Sequence, residues 1–179
     1  MRLFIAIELS NGMRKELAAL SRAVRERSCG GRFVSPENYH VTLRFIGESD
    51  DLAGAAEAMR EACRGIRPFK IKLGSYGFFD KASRDKRTAL TLVEGELDEM
   101  NVLHETLEAE LEARGFHGEH RRFIPHITIG RNVEQDELAQ MELEAFPLSS
   151  EMTVTGITLF ESTREKGKVV YSPLHREKF

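Results

Sequence analysis

A chain of 179 residues fits one domain, or two small lobes sharing an interface, and is long enough to bury a core. Its 41% hydrophobic and 31% charged residues are an ordinary globular balance, and a net charge of −3 excludes a nucleic-acid coat working by bulk electrostatics, so any RNA contact has to be local. Two cysteines, Cys29 and Cys63, without a CxxC spacing predict reduced thiols with no disulfide between them. The apolar start, Met1 to Leu9, is too short to span a membrane, and Glu8 interrupts it before a signal core forms. A cytoplasmic chain without membrane attachment is expected.

Residues 2 to 9 read as a buried strand. Ser10-Asn11 offers an N-cap, and Leu17, Leu20 and Val24 mark the apolar face of a helix from Met13 to Arg27, broken by Gly30-Gly31. Phe33-Val34 with Pro36-Glu37-Asn38 predicts a short strand and turn, and His40 to Ile46 a strand. Ser49-Asp50 caps a helix from about Leu52 to Arg64, ending at Gly65. Strands are predicted at Phe69–Leu73 and Thr88–Val93, with Tyr76–Arg87 between them a loop or ragged hairpin. Leu97, Met100, Leu103, Leu107 and Leu111 give the strongest helix, Glu96–Arg114, stopped by Gly115. Pro125 precedes a strand from His126 to Ile129, then comes a helix from Glu134 to Ala145. Strands near Met152–Phe160 and Lys168–Tyr171 flank a charged turn, Glu161–Gly167. No linker divides residues 1–179, which are expected to form a single domain. Helices and strands interleaved without a βαβ rhythm predict an α+β fold with antiparallel sheets.

One motif occurs twice, about half a chain apart: His40-Val41-Thr42-Leu43 and His126-Ile127-Thr128-Ile129. A strand puts His and Thr of each copy on one face and the aliphatic residues on the other. Extended regularly, the first strand groups Arg44 with His40 and Thr42, and sends Phe45 to the core with Val41 and Leu43. The apolar faces meet the needs of a sheet; the polar faces need another explanation. Two histidines, one neutral and one protonated, are the minimum for acid–base chemistry on a phosphodiester, and the threonine hydroxyls suit donation to its non-bridging oxygens.

Zinc is the competing use of two histidines, but a stable site wants three or four ligands, and no acid sits at a matching position on either strand; no metal is expected. His104, His117, His120 and His175 read as surface or structural residues. Arg84, Lys86 and Arg87 form one basic group, and Arg121 and Arg122 precede the second motif. Arg131 ends the second motif strand within reach of a phosphate held there, although a regular strand faces it away from His126 unless Gly130 allows a bend. Tyr39, Phe45 and Phe123 are candidate base-stacking aromatics, Phe45 being assigned to the core by its phase.

These motifs, with the opening Arg2-Leu3-Phe4-Ile5-Ala6-Ile7 and the runs Pro36 to Gly47 and Phe123 to Arg131, resemble the 2H phosphoesterase superfamily. Within it the likeness is to the RNA 2′,3′-cyclic phosphodiesterases, once described as 2′–5′ RNA ligases. The resemblance implies a bilobal α+β fold with a pseudo-two-fold axis, two antiparallel sheets lining a central groove and helices outside. It implies metal-free, cofactor-free hydrolysis of a terminal 2′,3′-cyclic phosphate on RNA to a 2′-phosphate; a monomer is expected. His40 matches the general acid and His126 the general base, Thr42 and Thr128 the phosphate donors, and Arg131 a further substrate contact; Arg44, Tyr39 and Phe123 complete the candidate set. The middle departs from the family pattern, with Phe78-Phe79-Asp80-Lys81 in place of a Phe-Pro step and no Trp anywhere. A nucleotide-binding module without turnover, and a phosphodiesterase acting on 2′–5′ linked oligonucleotides or an ADP-ribose cyclic phosphate, stay open on the residues alone.

Overall fold

The structure, a computed structural model, describes residues 1–79 and 87–179. In chain order the elements are β1 (Arg2–Glu8), α1 (Asn11–Glu26), β2 (Gly30–Phe33), a 3-10 turn (Pro36–Asn38), β3 (His40–Glu48) and α2 (Leu52–Cys63). Then follow β4 (Phe69–Phe79), β5 (Arg87–Gly95), α3 (Leu97–Ala113), β6 (His126–Glu134), α4 (Glu137–Glu144), β7 (Glu151–Val154), β8 (Gly156–Glu165) and β9 (Lys168–Lys178). The strands form two antiparallel sheets, ordered β3-β1-β8-β9 and β2-β6-β5-β4-β7. The α+β class is as expected, and β3 and β6, which carry the two motifs, lie beside one another where the sheets meet.

The helices form where the apolar spacing puts them. The Ser10 hydroxyl accepts from the Met13 amide and starts α1, whose Met13, Leu17, Leu20 and Val24 are all buried. Met100, Leu103, Leu107 and Leu111 form the buried stripe of α3, and Gly115, at φ 86°, lets the chain turn so that Phe116 N–H donates to Leu111 O. β1 is covered on both faces: Leu3, Ile5 and Ile7 enter the main core, while Phe4 and Ala6 join Phe160 in a second, smaller cluster. That is why its sequence is a continuous apolar run.

Several stretches differ from expectation: β6 continues to Glu134, so the next helix starts at Glu137, and β8 continues to Glu165, which shortens the expected charged turn. β4 runs on to Phe79, so 76–79 is strand rather than loop, and Asp80, Lys81, Arg84 and Lys86 lie outside the described residues. The apolar run 152–160 is two strands: only Thr155 separates β7, which pairs with β4, from β8, which pairs with β1. β9 continues to Lys178, doubling the expected hairpin. Among the described residues no helix is long and apolar enough to cross a membrane.

Candidate active site

β3 and β6 repeat one another beyond the four-residue motif. In β3 the register passes from Ala6 opposite Thr42 to Ile5 opposite Arg44, which leaves Leu43 as an extra residue. In β6 it passes from Leu90 opposite Thr128 to Ala89 opposite Gly130, which leaves Ile129 extra. Each motif thus contains a bulge three residues after its histidine, and a bulge reverses the alternation beyond it. Leu43 and Arg44 both turn inward, as do Ile129 and Gly130, and the fifth residue after each histidine, Phe45 or Arg131, emerges beside His and Thr.

The bulges correct the regular-strand expectation. Arg44 is only 2% exposed; its guanidinium lies beneath the sheet, with Nε donating to Glu108 of α3 and a terminal nitrogen donating to the His117 carbonyl. It does not line the groove. Phe45, expected in the core, is 54% exposed and stands beside Phe4, ring centroids 6.1 Å apart. Arg131 is exposed, and its charge reaches both motif histidines; the bend forms at Ile129, one residue before Gly130. Gly130 is needed for space, since a Cβ there comes within 3.0 Å of the Val133 side chain.

Tyr39 is corrected too: it is 2% exposed within the main core, where no base reaches it. Phe123 is half-buried and stacks on His104, 4.0 Å between centroids and 2° from parallel, which gives both rings a packing role. Arg87 donates to Gln140 and lies over Phe78, and Arg121 pairs with Glu119.

Both imidazoles are held in the same way. Nδ1 of His40 donates to Asn38 O at 2.7 Å, and Nδ1 of His126 donates to Ile124 O at 2.7 Å, each carbonyl two residues back. A carbonyl only accepts, so each neutral ring carries its proton on Nδ1 and keeps the Nε2 lone pair for chemistry. The Thr42 hydroxyl donates to that Nε2 of His40 at 2.9 Å. Burial pushes both histidines below the usual imidazole range. The carbonyls oppose the shift, and Arg131, with the mutual repulsion of His126 and His40, adds to it at His40.

The surroundings differ. His40 is the more enclosed, with Phe4 at 5.0 Å and Tyr171 edge-on at 5.3 Å between ring centroids. Asn38, whose carbonyl orients it, is tied through its side-chain amide to Val169 O at 3.0 Å, and the Arg14 guanidinium donates to Glu37 O beside it. The β8–β9 hairpin therefore bends back over the start of β3. His126 has one ring against it, Phe79 at 4.6 Å. None of Phe4, Asn38, Phe79 and Tyr171 was a site candidate in the sequence, although the first three lie in runs compared with the family pattern. Only Phe45 had a signal, its position five residues after His40 matching that of Arg131 after His126. Among the described residues no three His, Cys, Asp or Glu side chains converge where they could hold a metal ion.

Paired His-x-Thr strands with parallel Nδ1 anchors thus present two imidazoles held alike, each with a threonine on its own face of the strand. Residues 13–166 match the family model described as the 2'-5' RNA ligase superfamily, and the chain belongs to that family. It is 31% identical to an RNA 2',3'-cyclic phosphodiesterase of Thermotoga maritima, over 100% of this chain and 96% of that protein. The crystal structure of TT0787 of Thermus thermophilus superposes with a TM-score of 0.79 at 27% identity, over 99% of this chain and 97% of that one. E. coli LigT complexed with 3'-AMP gives a TM-score of 0.74 at 25% identity, over 99% and 97% of the two chains.

Proposed function

We propose that this chain hydrolyses RNA ending in a 2′,3′-cyclic phosphate to the 2′-phosphate and a free 3′-hydroxyl. Its relative in Thermotoga maritima carries the name of that activity. The observation that carries the reading is the matched pair of Nδ1–carbonyl hydrogen bonds, which turn each Nε2 away from its anchoring carbonyl, that of His40 onto the Thr42 hydroxyl. His126, neutral, takes a proton from water as that water attacks phosphorus. The bond from phosphorus to the 3′ oxygen breaks, and His40, charged, delivers its proton to the departing oxygen. The hydroxyls of Thr42 and Thr128 and the guanidinium of Arg131 stabilise the non-bridging oxygens as charge builds on them.

The surroundings support the division of labour. His126, the more open ring, has access to water, whereas His40 is walled by Phe4 and Tyr171. His40 needs a proton that burial discourages, and the anionic phosphate supplies the opposite charge that restores it. Phe45, exposed beside this wall, offers a face for the terminal base. The test is hydrolysis of a short RNA with a 2′,3′-cyclic phosphate end, in excess EDTA, by wild type, His40→Ala and His126→Ala. Turnover to the 2′-phosphate that survives EDTA and falls on the order of 10²–10⁴-fold in each variant is expected. Tight binding without turnover in the wild type would move the chain to the class of nucleotide-binding modules.

A further inference from the structure

β2 is an edge strand, and its Arg32 lies directly opposite Arg131 of β6. Directly opposed residues send their side chains to the same face. That face is the groove, because the adjacent pair points the other way: Phe33 packs on the core, and a Cβ on Gly130 would meet Phe33 and Val133. Both arginines are exposed, and among the described residues neither has a carboxylate partner. Like charges directly opposite one another on neighbouring strands destabilise the sheet. A charge that merely protects an edge strand could be of either sign, and a glutamate at position 32 would protect it while pairing with Arg131. Two arginines make sense where an anion arrives from outside.

Distance suggests which anion. Arg131 stands three positions beyond Thr128 on β6, about 7–10 Å at the rise of a bulged strand, and Arg32 is one strand further, about 4.8 Å. A single nucleotide spans that separation. We propose that Arg32, standing beside Arg131 and one strand further from the reacting phosphate, forms a second anion subsite, which takes the phosphodiester on the 5′ side of the terminal nucleotide. The subsite makes the enzyme select a polynucleotide end over a free nucleoside cyclic phosphate. It rests on the reading of the groove given above, and it provides the local cationic contact that a chain of net charge −3 needs in order to hold RNA.

The experiment compares a dinucleotide ending in a 2′,3′-cyclic phosphate with the mononucleoside 2′,3′-cyclic phosphate bearing a 5′-hydroxyl. Wild type, Arg32→Gln, Arg32→Lys and Arg32→Glu are measured on both. With Gln, kcat/KM on the dinucleotide is expected to fall at least about ten-fold more than on the mononucleoside, as for loss of one charge-assisted hydrogen bond. Lys restores most of the difference, and the salt dependence on the dinucleotide becomes shallower with Gln by about 0.7 in log–log slope. Glu, able to pair with Arg131, melts no lower than wild type and reverses the preference. Equal losses on both substrates, or none, overturn the subsite. Calorimetric titration with the corresponding 2′-phosphate products repeats the comparison without turnover. A wild type that cleaves neither substrate would sink the proposed reaction, while the affinity ratio would still decide Arg32.

Discussion

Removing Glu108 is expected to damage the fold far more than removing its partner Arg44. The Arg44 guanidinium is 2% exposed, held by Glu108 and the His117 carbonyl, and its remaining terminal nitrogen is buried with no protein partner. Glu108 is 15% exposed and also accepts from the Glu119 amide at 3.2 Å. Glu108→Ala leaves a desolvated cation without its counter-charge, a loss of about 3–5 kcal/mol. For a chain of this size that lowers Tm by about 6–20 °C. Arg44→Met removes the buried charge itself and costs less, and Arg44→Met with Glu108→Leu replaces the pair with apolar volume at a cost near zero. Urea unfolding followed by two probes gives the three values. Because Arg44 lies beneath the β3 bulge, the double variant should also keep kcat/KM within a few-fold of wild type. A Glu108→Ala cost below about 1 kcal/mol would refute the buried-pair argument. A folded double variant slowed a hundred-fold would return Arg44 to the substrate.

Two further outcomes concern the groove. Burial lowers His40, His104 and His126 below the unfolded imidazole value of about 6.5, so the unfolded chain binds more protons below neutrality. Stability is therefore full above that value and is lost as pH falls through the folded-state values; Tm should drop between about pH 7 and 5, with saturating inorganic phosphate recovering part of it. Proton NMR titration of the imidazoles and melting scans check this, and a Tm that rises on acidification would contradict it. Phe45→Ala should cost about 1–3 kcal/mol of base stacking, on the order of ten- to a hundred-fold in kcat/KM on a nucleoside cyclic phosphate. A ribose cyclic phosphate without a base should respond much less, and equal losses on the two would make Phe45 a packing residue.

The helices, the α+β class and the two motif strands were legible because each rests on short-range periodicity. The missed features rest on register. Gly130 was a local sign of a bend in the second copy, but nothing local in Leu43-Arg44 announces a bulge in the first, since both suit a regular strand; the extra residues, Leu43 and Ile129, are set by pairing with β1 and β5, distant in sequence. A second hint was present: Arg131 falls on the wrong side of a regular strand, and the bulge that turns it back also turns Phe45 out and Arg44 in. Tyr39 was misplaced because a residue next to a motif histidine faces away from it, into the core, as alternation requires. The wall of Tyr171 and Asn38 depends on a hairpin that bends back from the far end of the chain, which no local pattern encodes.

Two copies of one motif offer no internal reason for one histidine to donate a proton and the other to accept it. The reason has to come from the residues beyond each copy and from those that face it. At the fourth position after the histidine, one copy has Arg44 pinned to α3 and the other Gly130 packed under Val133 and Phe33. At the fifth, one presents an aromatic ring and the other a guanidinium. The His40 half of the groove is therefore mainly aromatic, with Phe4, Phe45, Phe160 and Tyr171 and Arg14 at its margin, and the His126 half mainly cationic, with Arg131 and Arg32 and one ring, Phe79. A nucleotide carries one apolar end and one anionic chain, and it lies in such a groove in one direction only. In the proposed reaction, a base on the aromatic half and a phosphate chain on the cationic half would fix which imidazole meets the leaving oxygen. The proposed division of roles thus rests on the residues that surround the two His-x-Thr motifs, since the motifs themselves are alike.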